Sequence, residues 1–149
     1  MTPSTLLKGA IDCDVHPAVS ELTDLIPYMD EYWADQFTMR GIDGLESVSY
    51  PPNAPLTCRS DWRRAGIRPG SSCEHMKADL LDAFGLSTAM LNCLYPGVSA
   101  MSDQMAAAIA RAVNDWLIDR WLDKDQRFGA SIIVAPQNPR LAAEEIELR

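Results

Sequence analysis

The feature that most constrains this chain is an alternation. Short apolar runs that stop at proline or glycine are each followed by a longer segment whose apolar residues recur every three to four positions. Ile11 to Val15 is the first run, closed by His16-Pro17, and proline ends a strand cleanly. Leu86 to Leu94 is the second, closed by Tyr95-Pro96-Gly97. Gly129 to Ala135 is the third, closed by Pro136-Gln137-Asn138-Pro139. Alternation of this kind implies parallel strands joined by right-handed crossovers. A small doubly wound sheet and part of a (β/α)8 barrel both satisfy it. A whole barrel needs about 200 residues or more, and the chain has 149. The expected fold is therefore α/β: the N-terminal portion, about three βα units, of a TIM (β/α)8 barrel, incomplete in this chain. Residues 1–149 then form the N-terminal part of a single barrel domain, with core strands near 11–15, 87–93 and 130–134.

The helices announce themselves by caps and stops. Ser20 reads as an N-cap, with Leu22, Leu25 and Ile26 on one face, and Pro27 breaks that helix or begins another. Asp30 to Arg40 places Trp33 and Phe37 four apart and stops at Gly41. Residues 41–70 are rich in proline, glycine and serine and carry little periodicity, which predicts a long excursion loop, a common form for a functional lid. Ser71-Ser72-Cys73-Glu74 matches a capping box, followed by the stripe Met76, Leu80, Leu81 and Phe84 up to Gly85. Ser102 opens the clearest helix, periodic to about Lys124. Arg140 to Leu148 starts another.

Charge and cysteine content narrow the class. The chain holds 13 basic and 21 acidic residues, a net charge of −8, which disfavours nucleic acid and anionic membrane surfaces as partners. No apolar run approaches the roughly 18 residues of a membrane span, and Met1 to Ala10 carries no secretory pattern. A cytoplasmic location is expected. Cysteines 13, 58, 73 and 93 form no C-x-x-C pair, so neither a zinc knuckle nor a disulfide framework is expected. Cys13 and Cys93, inside apolar runs, read as small buried hydrophobes.

Side chains two apart on a strand share a face, so Asp14 and His16 point the same way at the carboxyl end of the first strand. A carboxylate and an imidazole so placed can both reach one divalent metal, and strand carboxyl ends are where ligands collect in parallel sheets. Asp12 lies one pleat back. His75 falls in the first turn of the helix after the capping box and reads as a solvated helix residue at the opposite end of the sheet. Arg59, Trp62, Arg63, Arg64 and Arg68 concentrate positive charge in the excursion of an acidic protein. They suit either a lid over an anionic or aromatic substrate or a solvated loop paired to nearby acids. Asn92, Tyr95, Gln137 and Asn138 sit at strand ends, where they can contact substrate or cap turns.

Together these motifs resemble the amidohydrolase-related proteins of the aminocarboxymuconate-semialdehyde decarboxylase type, the amidohydrolase-2 family. Ile-Asp-Cys-Asp-Val-His-Pro (11–17) is similar to the family's opening Ile-Asp-x-His-x-His. Leu81 to Leu86 with Ala89 to Asn92 resembles its passage into the second strand. Arg127 to Ala130 and Val134 to Pro139 resemble its third strand and turn. The resemblance implies a metal-dependent hydrolase or decarboxylase that acts on a small carboxylate or aromatic acid. It implies Asp14 and His16 as metal ligands, with Asp14 standing where the better-known motif has His. A harder oxygen ligand moves the preference from zinc towards manganese or magnesium. Arg59, Trp62, Arg63 and Asn92 are the expected substrate contacts. By the same resemblance, further ligands and the catalytic residues belong to strands beyond Arg149. The alternative is an inactive fragment or remnant that works, if at all, by association with itself or with a complementary C-terminal barrel half.

Overall fold

In a computed structural model, residues 8–42, 58–94 and 102–149 are described. The elements run β1 (Ile11–Val15), α1 (Glu31–Arg40), α2 (Cys73–Met76), β2 (Thr88–Leu91), α3 (Asp103–Arg120), β3 (Phe128–Ala130) and α4 (Pro139–Glu147). The chain divides into two compact units, one of residues 1–18, 52–94 and 118–131 and the other of residues 19–51, 95–117 and 132–149.

The first unit is built on a mixed α/β arrangement with a parallel sheet of three strands, in the order β1-β2-β3. Along β2, Ala89 and Leu91 are buried while Thr88 and Met90 are half-covered, the two-residue period of a strand. β3 pairs Phe128, Gly129 and Ala130 with Ala89, Met90 and Leu91. A Cβ on Gly129 would lie 2.6 Å from the Met90 sulfur, so glycine lets that methionine lie across the ladder. β1 carries an irregularity: Asp12 pairs with Ala89 but Val15 pairs with Leu91, which leaves one extra residue on β1, a bulge at Cys13 and Asp14.

The helical passage into β2 is capped by Ser72, whose hydroxyl accepts the His75 N–H at 3.3 Å. The expected cap one residue earlier is displaced because Ser71 spends its own N–H and hydroxyl on the Arg68 carbonyl, at 3.1 and 2.8 Å. α2 widens into a π-helical run over Lys77–Asp82 and closes at Gly85, which takes a φ of 66°. Leu81 of the apolar stripe is fully buried. Trp62 meets Phe84 edge-on at 6.3 Å, and Trp121 meets Phe128 at 5.7 Å. Ahead of β3, Arg127 forks onto Asp125 and reaches Asp82 at 2.8 Å, and Lys77 adds a contact to Asp125 at 3.3 Å. The Arg127 guanidinium holds the Asp125 carboxyl well below the usual carboxylate range.

In the second unit, Asp30 caps α1 by accepting the Trp33 N–H at 3.0 Å, Phe37 is buried, and Gly41 closes the helix with φ 60°. Two 3-10 turns, Leu22–Asp24 and Ile26–Tyr28, replace the helix expected after Ser20. The cap there is Glu21, because its carboxylate and that of Asp24 bond each other's backbone reciprocally. α3, which starts in this unit, ends at Arg120 rather than Lys124, and a 3-10 turn at Leu122–Lys124 follows in the first unit. Asn138 caps α4 by accepting the Leu141 N–H at 3.2 Å, with Pro139 in the first turn.

Two expectations need correction. The third strand is Phe128–Ala130, not 130–134, and residues 131–135 join no ladder. Their apolar run reads as a strand, yet the Ile133 backbone N–H and C=O are both taken by the Asn114 side chain, at 2.8 Å each. Cys13 is exposed while Cys93 is buried, because β1 is an outer strand and Cys13 stands on its bulge. Of the excursion over 41–70, residues 43–57 lie outside the described residues. The described part forms a 3-10 turn at Ser60–Trp62 and a tight antiparallel bridge between Arg64 and Ile67. No helix among the described residues is long and apolar enough to cross a membrane.

A candidate metal centre at the strand ends

The carboxyl ends of β1, β2 and β3 bring together Asp14, His16, Asn92 and Ser131. The His16 Nδ1 lies 2.9 Å from the Asn92 carbonyl oxygen. A carbonyl only accepts, so in the neutral ring the proton sits on Nδ1 and the lone pair on Nε2. That Nε2 is 3.5 Å from Asp14 Oδ1. Two donors held at about 2.1 Å from one tetrahedral ion stand about 3.4 Å apart, so the pair is set at the separation an ion needs. The Asp14 side chain is 77% exposed and that of His16 27%. Asp12 does not complete the set: its Oδ1 accepts the Asp14 N–H at 3.1 Å and is turned to the backbone. Among the described residues, no group of three or more His, Cys, Asp or Glu could hold a metal.

Asn92 is the centre of the arrangement. Its backbone N–H donates to the Val15 carbonyl at 2.7 Å. Its side-chain amide donates to the Cys13 carbonyl at 2.9 Å and to Asp14 Oδ1 at 3.3 Å. The Ser131 hydroxyl donates to Asn92 Oδ1, and the Ser131 N–H to the Leu91 carbonyl at 2.9 Å. Ser131 is not legible as a site residue in the sequence, because it lies inside the apolar run Gly129 to Ala135 that predicts the third strand. Its signal was available only once that strand was seen to end at Ala130.

The basic segment is anchored against this site through its last residue. The Ala18 N–H donates to the Gly70 carbonyl at 2.9 Å. A Cβ on Gly70 would lie 2.7 Å from the His16 carbonyl oxygen, and its φ is 80°. Within the segment, Arg59 forks onto Asp61 at 3.0 and 2.7 Å and covers the Trp62 ring at 4.8 Å. Arg64 forks onto Asp79 at 2.5 and 2.9 Å, and Arg63 is exposed. The structure thus joins Arg59 to Trp62 and pairs Arg59 and Arg64 with acids. Hydrogen bonds from Arg59 and from Arg64 hold the Asp61 and Asp79 carboxyls below their usual range.

His75 lies in the first turn of α2, half-buried. α2 begins at Cys73, three residues after Gly70, whose carbonyl accepts the Ala18 N–H at 2.9 Å. Asn138 caps α4, Gln137 is exposed, and Tyr95 lies outside the described residues.

A family model described as amidohydrolase matches residues 11–149. The gamma-resorcylate decarboxylase of Polaromonas sp. (strain JS666 / ATCC BAA-500) is 27% identical over 120 residues, a match that takes in 80% of this chain. It covers 33% of the relative, so the chain spans about a third of the length of the curated relative it matches.

Proposed function

The chain belongs to the amidohydrolase family, and from that premise we propose that it is part of a metal-dependent hydrolase or decarboxylase for a small carboxylate or aromatic acid. The name of the decarboxylase relative favours loss of carbon dioxide over hydrolysis. The observation that carries the reading is the 3.5 Å separation of His16 Nε2 and Asp14 Oδ1, with the imidazole's other nitrogen held by a carbonyl. The parallel strands in chain order support a barrel wall, in the manner of the aminocarboxymuconate-semialdehyde decarboxylase type.

Asp14 and His16 would hold a divalent ion, zinc or manganese: their separation suits a tetrahedral ion, while the hard carboxylate oxygen moves the preference towards manganese. Once bound, such an ion polarises a substrate oxygen or lowers the pKa of a coordinated water. The protein's own part is orientation. His16 presents Nε2 because the Asn92 carbonyl holds Nδ1, and Asp14 is steered by the Asn92 amide. In this reading Arg59, Trp62 and Arg63 meet the acid's carboxylate and ring, and Arg59 exchanges Asp61 for the substrate. The remaining ligands and catalytic groups come from a segment equivalent to the part of the relative outside the match. The same segment completes the sheet beside the exposed Ile11 of β1.

The test is manganese titration of the nitrogen-15-labelled chain, read by paramagnetic broadening of its amide signals. Broadening centred on residues 13–16 and Asn92 is expected. Broadening centred on other acidic surface, with residues 13–16 untouched, overturns the reading.

A further inference from the structure

We propose that Asn92 and Ser131 are positioning residues for the Asp14–His16 pair, Ser131 bracing the Asn92 side chain from the far side and the Asn92 amide fixing the Asp14 carboxylate. The proposal deepens the metal reading above and rests on it for its chemical purpose.

An asparagine amide has two unlike ends: the oxygen accepts and the nitrogen donates twice. The Ser131 hydroxyl donates to the Asn92 oxygen. The amide nitrogen faces Cys13 and Asp14, and both of its partners there are acceptors, the Cys13 carbonyl at 2.9 Å and Asp14 Oδ1 at 3.3 Å. Turned the other way, the amide would set its oxygen against a carbonyl and a carboxylate at once. The two acceptors therefore set the orientation, and the Ser131 hydroxyl, able to donate or accept, holds the amide there by donating.

The Cys13 carbonyl gives the arrangement its purpose. Cys13 and Asp14 lie where β1 slips by one residue against β2, so ladder bonding is interrupted there. The Asn92 amide supplies the donor that a regular ladder would have supplied, and the bulge it stabilises is the turn of chain that carries Asp14. Residue 92 needs only its backbone to continue the sheet, through its N–H to Val15 at 2.7 Å. Its side chain is spent wholly on the bulge, the acid and Ser131. With its carbonyl on His16 Nδ1 at 2.9 Å, one residue touches both members of the pair. Each of the three strands thus contributes at its carboxyl end: the ion-binding groups from β1, the amide after β2, the hydroxyl after β3.

Two readouts test this, one without metal. In the metal-free chain, the side-chain amide signals of Asn92 should move in both Ser131→Ala and Asp14→Ala, and return towards native positions in Ser131→Thr, which keeps the hydroxyl. In manganese calorimetry, Asn92→Ala should weaken binding about 10-fold, in the range for groups that orient metal ligands. Ser131→Ala should weaken it by a smaller factor, Ser131→Thr should restore it, and Ser131→Ala should add nothing on top of Asn92→Ala. A merely structural role would move melting temperature and leave this rescue pattern absent. Ser131 is exposed, so its variants carry the test with little change in stability. Unmoved Asn92 amide signals in Ser131→Ala and Asp14→Ala overturn the proposal. So does native manganese affinity in Ser131→Ala. If the amide signals move but the native chain takes up no manganese, the positioning stands and the metal reading alone falls.

Discussion

Asn92 and Asn114 each clamp backbone that has left a regular ladder, and each holds a carboxylate with the same amide. Asn114 bonds both polar groups of Ile133 and donates to Glu145 at 2.9 Å. Glu145 is 3% exposed and also receives Arg111 at 3.1 Å and Arg149 at 2.7 Å. Burial alone would push its carboxyl up, but the bonds from Asn114, Arg149 and Arg111 prevail and hold it below the usual range. Asp14 has the Asn92 amide and the His16 ring, is largely exposed, and pairs with no arginine or lysine among the described residues. A buried acid with every oxygen answered by a donor serves stability. An open acid steered by one amide towards an imidazole nitrogen keeps its capacity for an ion.

The comparison is broken most forcefully at the buried end. Asn114→Ala strands the Ile133 N–H and C=O and removes a donor from Glu145, and should cost about 2–4 kcal/mol in chemical denaturation. A loss near zero would mean that water replaces the amide and that the network is not closed. Next comes Gly70→Ala, which must accommodate a Cβ 2.7 Å from the His16 carbonyl at a φ of 80°. About 1–3 kcal/mol of strain is expected, together with weaker manganese binding. Unchanged manganese affinity in that variant would separate the basic segment's anchor from the site.

Acid should probe the buried end more gently. A carboxyl held below its unfolded pKa contributes stability that is present above the unfolded value and is lost as pH falls through the folded one. Glu145 and Asp125 both have that sign. Stability should therefore decline as pH drops below about 4.5, and Glu145→Gln should flatten part of that slope. An identical slope in Glu145→Gln would place the acid sensitivity elsewhere. The smallest effect belongs to Asn92→Ala, whose freed partners are reached by water, and it should cost about 1 kcal/mol or less of stability while weakening manganese binding.

The sequence made the first two strands legible because each is an apolar run stopped by proline or a turn. It misplaced the third because periodicity reports side chains, whereas residues 131–135 are excluded from the sheet by where the Ile133 backbone finds its partners, in the side chain of Asn114. The meeting of Asp14 and His16 followed from two-residue spacing. The bulge between Asp12 and Val15 did not, since register depends on the neighbouring strand. Gly70 could be read as a turn residue, but its closeness to His16 depends on a return of the chain that local pattern does not encode. The basic residues were visible as a cluster, and their pairing with Asp61 and Asp79 was visible only in three dimensions.

The central claim is that any ion this chain takes up is held by Asp14 and His16. Calorimetric titration of manganese and zinc into the native chain, Asp14→Ala, His16→Ala and His75→Ala tests it directly. Weak binding is expected in the native chain, because the described residues supply two donors and affinity rises with ligand count. His75→Ala should match the native chain, while Asp14→Ala and His16→Ala should lose the signal. Binding that survives His16→Ala and vanishes in His75→Ala would contradict the account.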